Sequence, residues 1–123
     1  MAIDRQRLDD LRTRLLRLHA LLLTRERRAY EDLYGPITSA AFLQLLIGDE
    51  RFAWLRPLSG IIAAIEEALE DEDSPEESVA MFVTRTRKLL RSGEIGTFEK
   101  HYHAALQESP DIVMAHADVV KLL

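Results

Sequence analysis

The sequence predicts an all-α fold: a single-domain helical bundle over residues 1–123, with about five or six helices, a long N-terminal helix and a buried central helix. Apolar residues recur every three or four positions along most of the chain, which is the period of an amphipathic helix. No segment shows the strict alternation of a half-buried strand. At 123 residues with 47% hydrophobic residues, the chain is long enough to bury a core without disulfides or metals.

The first predicted helix runs from Arg5 to about Tyr34, with Asp4 as its N-cap and the Gly-Pro pair at 35–36 as its stop signal. Its first inward-facing residues have the a/d spacing of a coiled coil: Leu8, Leu11, Leu15, Leu18 and Leu22. About 30 helical residues span roughly 45 Å, whereas a compact chain of this length has a diameter of about 35 Å. We therefore expect this helix either to bend or to overhang its domain and pack against a second copy.

The second predicted helix is short and lies between clear start and stop signals. Thr38 and Ser39 are candidate N-caps, Gly48 ends the helix, and Asp49 can cap the segment that follows. Pro57 then leaves two structures open, because an interior proline loses a backbone hydrogen bond. Either one kinked helix covers residues 50–70, or a short turn precedes a helix that begins at Pro57.

The central helix is predicted from the apolar face of residues 54–69. That face carries Trp54, Leu58, Ile61, Ile62, Ile65 and Leu69. Gly60, Ala63 and Ala64 lie roughly opposite, where a second element can approach the backbone closely. A helix that is apolar or small on most of its circumference is expected at the centre of the domain.

The remaining three helices follow from an acidic segment and two proline start signals. Residues 66–78 hold eight acids and no base. We predict an acidic hinge over 66–77, which contains the last turn of the central helix, a loop at 71–74 and the next helix start. We interpret this hinge as solvated, with a partner's basic patch as the functional alternative. The capping box Ser74-Pro75-Glu76-Glu77 starts a helix that runs to about Arg91 and closes at Gly93. Thr97 is the candidate cap of the next helix, and Ser109-Pro110 starts the last one.

Charge and hydropathy argue against two classes of partner. The net charge of −5 argues against nucleic-acid binding, for which a strong basic patch is typical. The longest uncharged run, residues 33–48, is short and contains Gly35 and Pro36, so we expect no transmembrane segment and no membrane partner. The lack of cysteine and of a basic-then-apolar leader predicts a cytoplasmic protein.

The four histidines do not form a predicted metal site. Glu99 and His103 are four residues apart and can meet on one helix face, but no third ligand is predicted, so we read them as a solvated pair. His116 lies on the apolar stripe of the last helix, which favours a packed histidine bonded to a carbonyl or hydroxyl over a ligand or base. The sequence also lacks the common catalytic motifs, so we expect no enzyme, cofactor or metal.

Two functions follow as hypotheses. The first is a non-enzymatic bundle that acts through protein contact as a homodimer built on the N-terminal helix, because leucines occur on more than one face of residues 15–23. The alternative is a bundle, possibly enzymatic, that binds a small molecule or a metal. Its pocket would be bounded by Trp54, Arg56, Tyr102 and His116, since the only tryptophan stands beside an arginine and a helix-disrupting proline.

Overall fold

The computed structural model describes residues 2–71, 77–91 and 96–123 of the chain. Within these ranges the structure is helical and contains no strand, which confirms the all-α prediction. The α-helices are α1 (Ala2–Tyr34), α2 (Ser39–Gly48), α3 (Arg56–Glu70), α4 (Glu77–Arg91), α5 (Thr97–Glu108) and α6 (Pro110–Val120). A short 3-10 helix, Glu50–Leu55, connects α2 to α3.

α1 is the helix against which the bundle is assembled, and α3 and α6 pack along it. Both run antiparallel to α1, as their polar contacts show. His19 meets Ser59 near the start of α3, whereas Arg5 reaches the carbonyl oxygen of Leu69 near its end. Arg14 donates to the carbonyl oxygen of Asp118 in α6 over 2.6 Å. Arg7, two turns earlier on α1, donates to the carbonyl oxygen of Leu122 just after α6 over 3.2 Å. The arginines of α1 thus supply donors to carbonyls near the C-terminal ends of its neighbours, where intrahelical partners run out.

The buried part of α1 ends at Leu22. The five leucines predicted to face inward are at most 4% exposed: Leu8, Leu11, Leu15, Leu18 and Leu22. No residue of α1 from Leu23 to Tyr34 is buried. The helix has 33 residues, and at 1.5 Å per residue it spans about 50 Å. Its last third therefore extends past the core that its first two thirds help to build.

Residues 50–70 form a short turn followed by a new helix, not one kinked helix. The 3-10 helix ends at Leu55, α3 begins at Arg56, and Pro57 occupies its first turn. A proline is tolerated there because a first-turn N–H has no intrahelical acceptor to lose. Trp54 and Leu55, each 3% exposed, therefore enter the core from the 3-10 helix rather than from α3.

α3 is buried on one face only, in contrast to the predicted burial on both sides. Its inward residues Leu58, Ile61, Ile62 and Ile65 are buried. On the opposite side Ala63 is exposed, and a Cβ atom added at Gly60 would meet no atom of another element within 4 Å. Small residues suit both a close helix contact and a solvated face, so residue size alone did not distinguish the two.

Most of the predicted helix starts are confirmed where the structure describes them. The side chains of Thr38, Asp49 and Ser109 accept hydrogen bonds from the backbone N–H groups of Ala41, Arg51 and Ile112, respectively. Two starts differ from the prediction: α1 begins at Ala2, so that Asp4 lies inside it, and α5 has Gly96 rather than Thr97 as its N-cap. Residues 74–76 of the predicted capping box and the predicted stop at Gly93 lie outside the described residues.

Candidate functional site

Three of the four residues predicted to bound a pocket belong to one array of aromatic rings. We call this array the aromatic chain; it consists of His101, Trp54, Phe98, Tyr102 and His116, in that order. The imidazole of His101 stacks on Trp54 with ring centroids 5.2 Å apart, and Phe98 stacks on Tyr102 at the same distance. Trp54 contacts Phe98 at 5.7 Å, so the chain is continuous from the 3-10 helix through α5 to α6.

Arg56, the fourth predicted residue, lies outside the aromatic chain. Its side chain is exposed and donates to the carbonyl oxygen of Ile47 over 2.9 Å. This contact ties the end of α2 to the start of α3. Phe98, which was not predicted as a site residue, instead connects Trp54 to Tyr102.

Tyr102 and His116 form a short hydrogen bond at the inner end of the aromatic chain. The Tyr102 hydroxyl and Nδ1 of His116 are 2.6 Å apart. Burial raises the pKa of Tyr102, which keeps its hydroxyl protonated. Burial and the positive charge of Arg91 lower the pKa of His116. The hydroxyl therefore donates to the neutral imidazole. This bond gives the buried phenol a hydrogen-bond partner, as is usual for a polar group in a protein core.

His19 makes a second contact between an imidazole and a hydroxyl, in this case between α1 and α3. Its Nε2 atom lies 2.8 Å from Oγ of Ser59, and the Ser59 hydroxyl donates to the carbonyl oxygen of Leu55 over 3.2 Å. Since that hydroxyl proton is already used, His19 donates from Nε2 to the serine oxygen. Burial lowers the pKa of His19, so the neutral ring is favoured in the folded protein.

These two histidines predict that the fold loses stability as the pH falls. Their pKa values are lowered in the folded protein, whereas an unfolded histidine titrates at about 6.5. Below that pH the unfolded chain binds more protons than the folded chain, so the free energy of unfolding decreases toward the folded pKa values. We expect the melting temperature to fall between pH 7 and pH 5.

The matched variant His19→Gln/His116→Asn keeps a donor at the position of Nε2 and an acceptor at the position of Nδ1, but cannot titrate. We expect a flatter dependence of its melting temperature on pH, measured by circular dichroism. A slope equal to that of the unmodified protein would show that other groups cause the loss.

A second surface feature lies where α1 extends past the core. Its large apolar side chains are highly exposed: Leu33 (76%), Tyr34 (60%), Leu43 (54%) and Ile47 (65%). We call these four residues the apolar end. They come from the last turn of α1 and from α2, which the loop at 35–38 connects.

α2 is held in place by a small aromatic cluster that is separate from the main core. Phe42 and Phe52 meet edge to face with ring centroids 5.5 Å apart. The guanidinium of Arg27 lies 5.7 Å from the centroid of the Phe42 ring and donates to Ser39 and to the carbonyl oxygen of Ile37. Arg51 bonds the hydroxyl of Tyr34 over 3.0 Å. The apolar end is therefore a fixed surface, attached on both sides to α1.

No family model, curated protein or solved structure matches this chain. Its function has to be inferred from its own residues.

The described residues contain no group of three or more His, Asp or Glu side chains placed to hold a metal ion, and none of them adds a third ligand to Glu99 and His103. None of the described helices is long and apolar enough to cross a membrane.

Arginines cluster at 27–28 of α1 and at 85–91 of α4, and the two clusters have different surroundings. Arg27 lies against α2, whereas Arg87 donates to the carbonyl oxygen of Leu123 at the end of the chain.

Proposed function

We propose that this chain is a non-enzymatic protein-contact module that acts as a homodimer, with the apolar end at the centre of the interface. The observation that carries the proposal is the composition of α2. Its ten residues include no charged side chain, yet only Phe42 among them is buried. An exposed helix ordinarily places charged residues on its solvent face. An uncharged outer face is instead typical of the core of an interface.

The outer face of α2 has the geometry that a helical partner needs. Leu43 and Ile47 are four residues apart, so they project from one side of the helix, while Phe42 faces the protein. Covering exposed apolar surface contributes about 25 cal/mol for each Å² removed from water. This gain requires a partner, because the described residues place no other element over Leu43 or Ile47.

A second copy of the chain fits this surface because α1 continues its core-facing row into it. Leu15 and Leu33 are 18 residues apart, which is five full helical turns, so the two side chains point in the same direction. Leu15 is fully buried and Leu33 is 76% exposed. Exposed charges of both signs, Arg28 and Asp32, lie one turn apart on α1, to one side of Leu33. A two-fold interface brings such a surface against itself.

Sedimentation equilibrium tests the proposal directly. At tens of micromolar, we expect a mass twice the 14.1 kDa of the single chain. Dilution should lower the average mass, because the proposed interface is a reversible equilibrium. A mass of one chain throughout the tens-of-micromolar range would overturn the homodimer.

A further inference from the structure

A groove between α3, α4 and α5 is separate from the apolar end. Its volume is about 400 Å³, within the range of about 300–1,000 Å³ that is usual for small-molecule sites. Four apolar side chains form much of its wall: Pro57, Ile61, Leu89 and Phe98. Phe98 also belongs to the aromatic chain, so the groove adjoins the rings but is not lined by the four residues predicted from the sequence.

The polar part of the groove has an excess of positive charge. Arg85 and Lys88, one turn apart on α4, line it together with Glu99 of α5. Neither cation forms an ion pair with another described residue, and the Arg85 guanidinium lies 5.9 Å from the centroid of the Phe82 ring. Oε2 of Glu99 is buried and accepts no hydrogen bond in the described structure. The groove thus holds one carboxylate beside two cations that pair with no side chain in the described ranges.

The start of α5 adds a third source of positive potential. Gly96 is its N-cap and also lines the groove, and no side chain of the described residues caps the first-turn N–H groups. The N-terminus of a helix carries about half a positive charge and offers these N–H groups to an anion. In the other described helices with an N-cap serine, threonine or aspartate, a side-chain oxygen takes that place.

We propose that this groove binds a small amphipathic anion. Its apolar body would lie against Ile61, Leu89 and Phe98, and its anionic group would face Arg85 and Lys88. Two cations and the helix terminus outweigh the single carboxylate of Glu99, so an anion is favoured over a neutral or cationic molecule of the same shape. This site goes beyond the proposed dimerisation and does not depend on it.

The test uses octanoate, octanol and octylammonium as probes, which share an apolar body and differ in charge. Each is titrated into the ¹⁵N-labelled protein, and backbone amide shifts are followed by NMR. We expect octanoate to shift the amides of Gly96, Phe98 and Glu99 with saturation, and the other two probes to shift them much less. Equal shifts with all three probes, or octanoate shifts centred on Leu43 and Ile47, would overturn the proposal.

Charge variants provide the second arm of the test. Arg85→Gln/Lys88→Gln should weaken octanoate binding at least tenfold, whereas the control Arg17→Gln/Lys100→Gln removes the same charge outside the groove and should change it less than twofold. Glu99→Gln removes the opposing carboxylate and should tighten binding severalfold. Equal weakening in the two double variants, or weaker binding in Glu99→Gln with an unchanged amide spectrum elsewhere, would refute the site.

Discussion

Leu15→Ala is expected to lower the free energy of unfolding by about 3–5 kcal/mol, the range for a fully buried leucine that leaves a cavity behind. Leu15 is 0% exposed and belongs to the core cluster that α1 forms with α3, α4, α5 and α6. A loss of this size is a large share of the 5–15 kcal/mol that stabilises a typical domain. Urea denaturation followed by circular dichroism measures it.

Leu33→Ala is the matched control for this prediction, because it changes the same residue type on the same row of the same helix. Leu33 is 76% exposed in the single chain, so its truncation should cost less than about 0.5 kcal/mol at low protein concentration. At high concentration its cost should grow, since stability gained from association rises with concentration. If the two variants were equally destabilised at every concentration, Leu33 would be part of the monomer core, and the conclusion that α1 extends past this core would be wrong.

Three of the helix starts in the described residues were predictable because their signals are local. A side-chain oxygen that caps a helix acts within three residues, as Thr38 and Ser109 do. Pro57 indicated an interruption by its covalent geometry, but it left a kinked helix and a new helix start equally open. The row of leucines in α1 was predictable for a similar reason, since its period is written in the sequence. Only the length of the helix suggested that this row continues past the core.

The candidate site was less predictable because it depends on contacts between distant residues. Trp54 and His101 stack although 47 positions separate them, and no local pattern reports such a pair. Composition marked Trp54 as unusual but gave no sign that Phe98 would lie between it and Tyr102. The direction of Arg56 depends on where α2 ends in space, since its acceptor is the carbonyl oxygen of Ile47.

The composition of α2 fits burial in the domain and burial in an interface equally well. An uncharged ten-residue helix is expected to be buried, and the sequence offered no way to tell burial in the domain from burial in an interface. The structure buries Phe42 and leaves Leu43 and Ile47 more than half exposed. The apolar end is therefore recognised only when the uncharged composition of α2 is compared with the exposure of its side chains.

Leu43→Lys/Ile47→Lys is expected to convert the proposed dimer into a monomer while leaving the single chain folded. Each lysine would place a charge in the centre of an apolar interface, where desolvation costs at least about 1–3 kcal/mol per group. Two such changes raise the dimer dissociation constant about a hundredfold or more, because each 1.4 kcal/mol is a factor of ten. At position 47, in the C-terminal turn of α2, a lysine interacts favourably with the helix dipole, and lysine at position 43 is a good helix former, so the helix itself should persist.

Met81→Lys/Met114→Lys is the matched control, since these methionines are 48% and 64% exposed, close to the 54% and 65% of Leu43 and Ile47. Both double variants raise the net charge by two, so any difference between them reflects position rather than charge. Sedimentation equilibrium should give a dimer for the control and a monomer for the α2 variant, with equal helical circular dichroism. If both variants dissociate, the loss comes from overall charge; if both remain dimeric, the interface lies elsewhere than on α2.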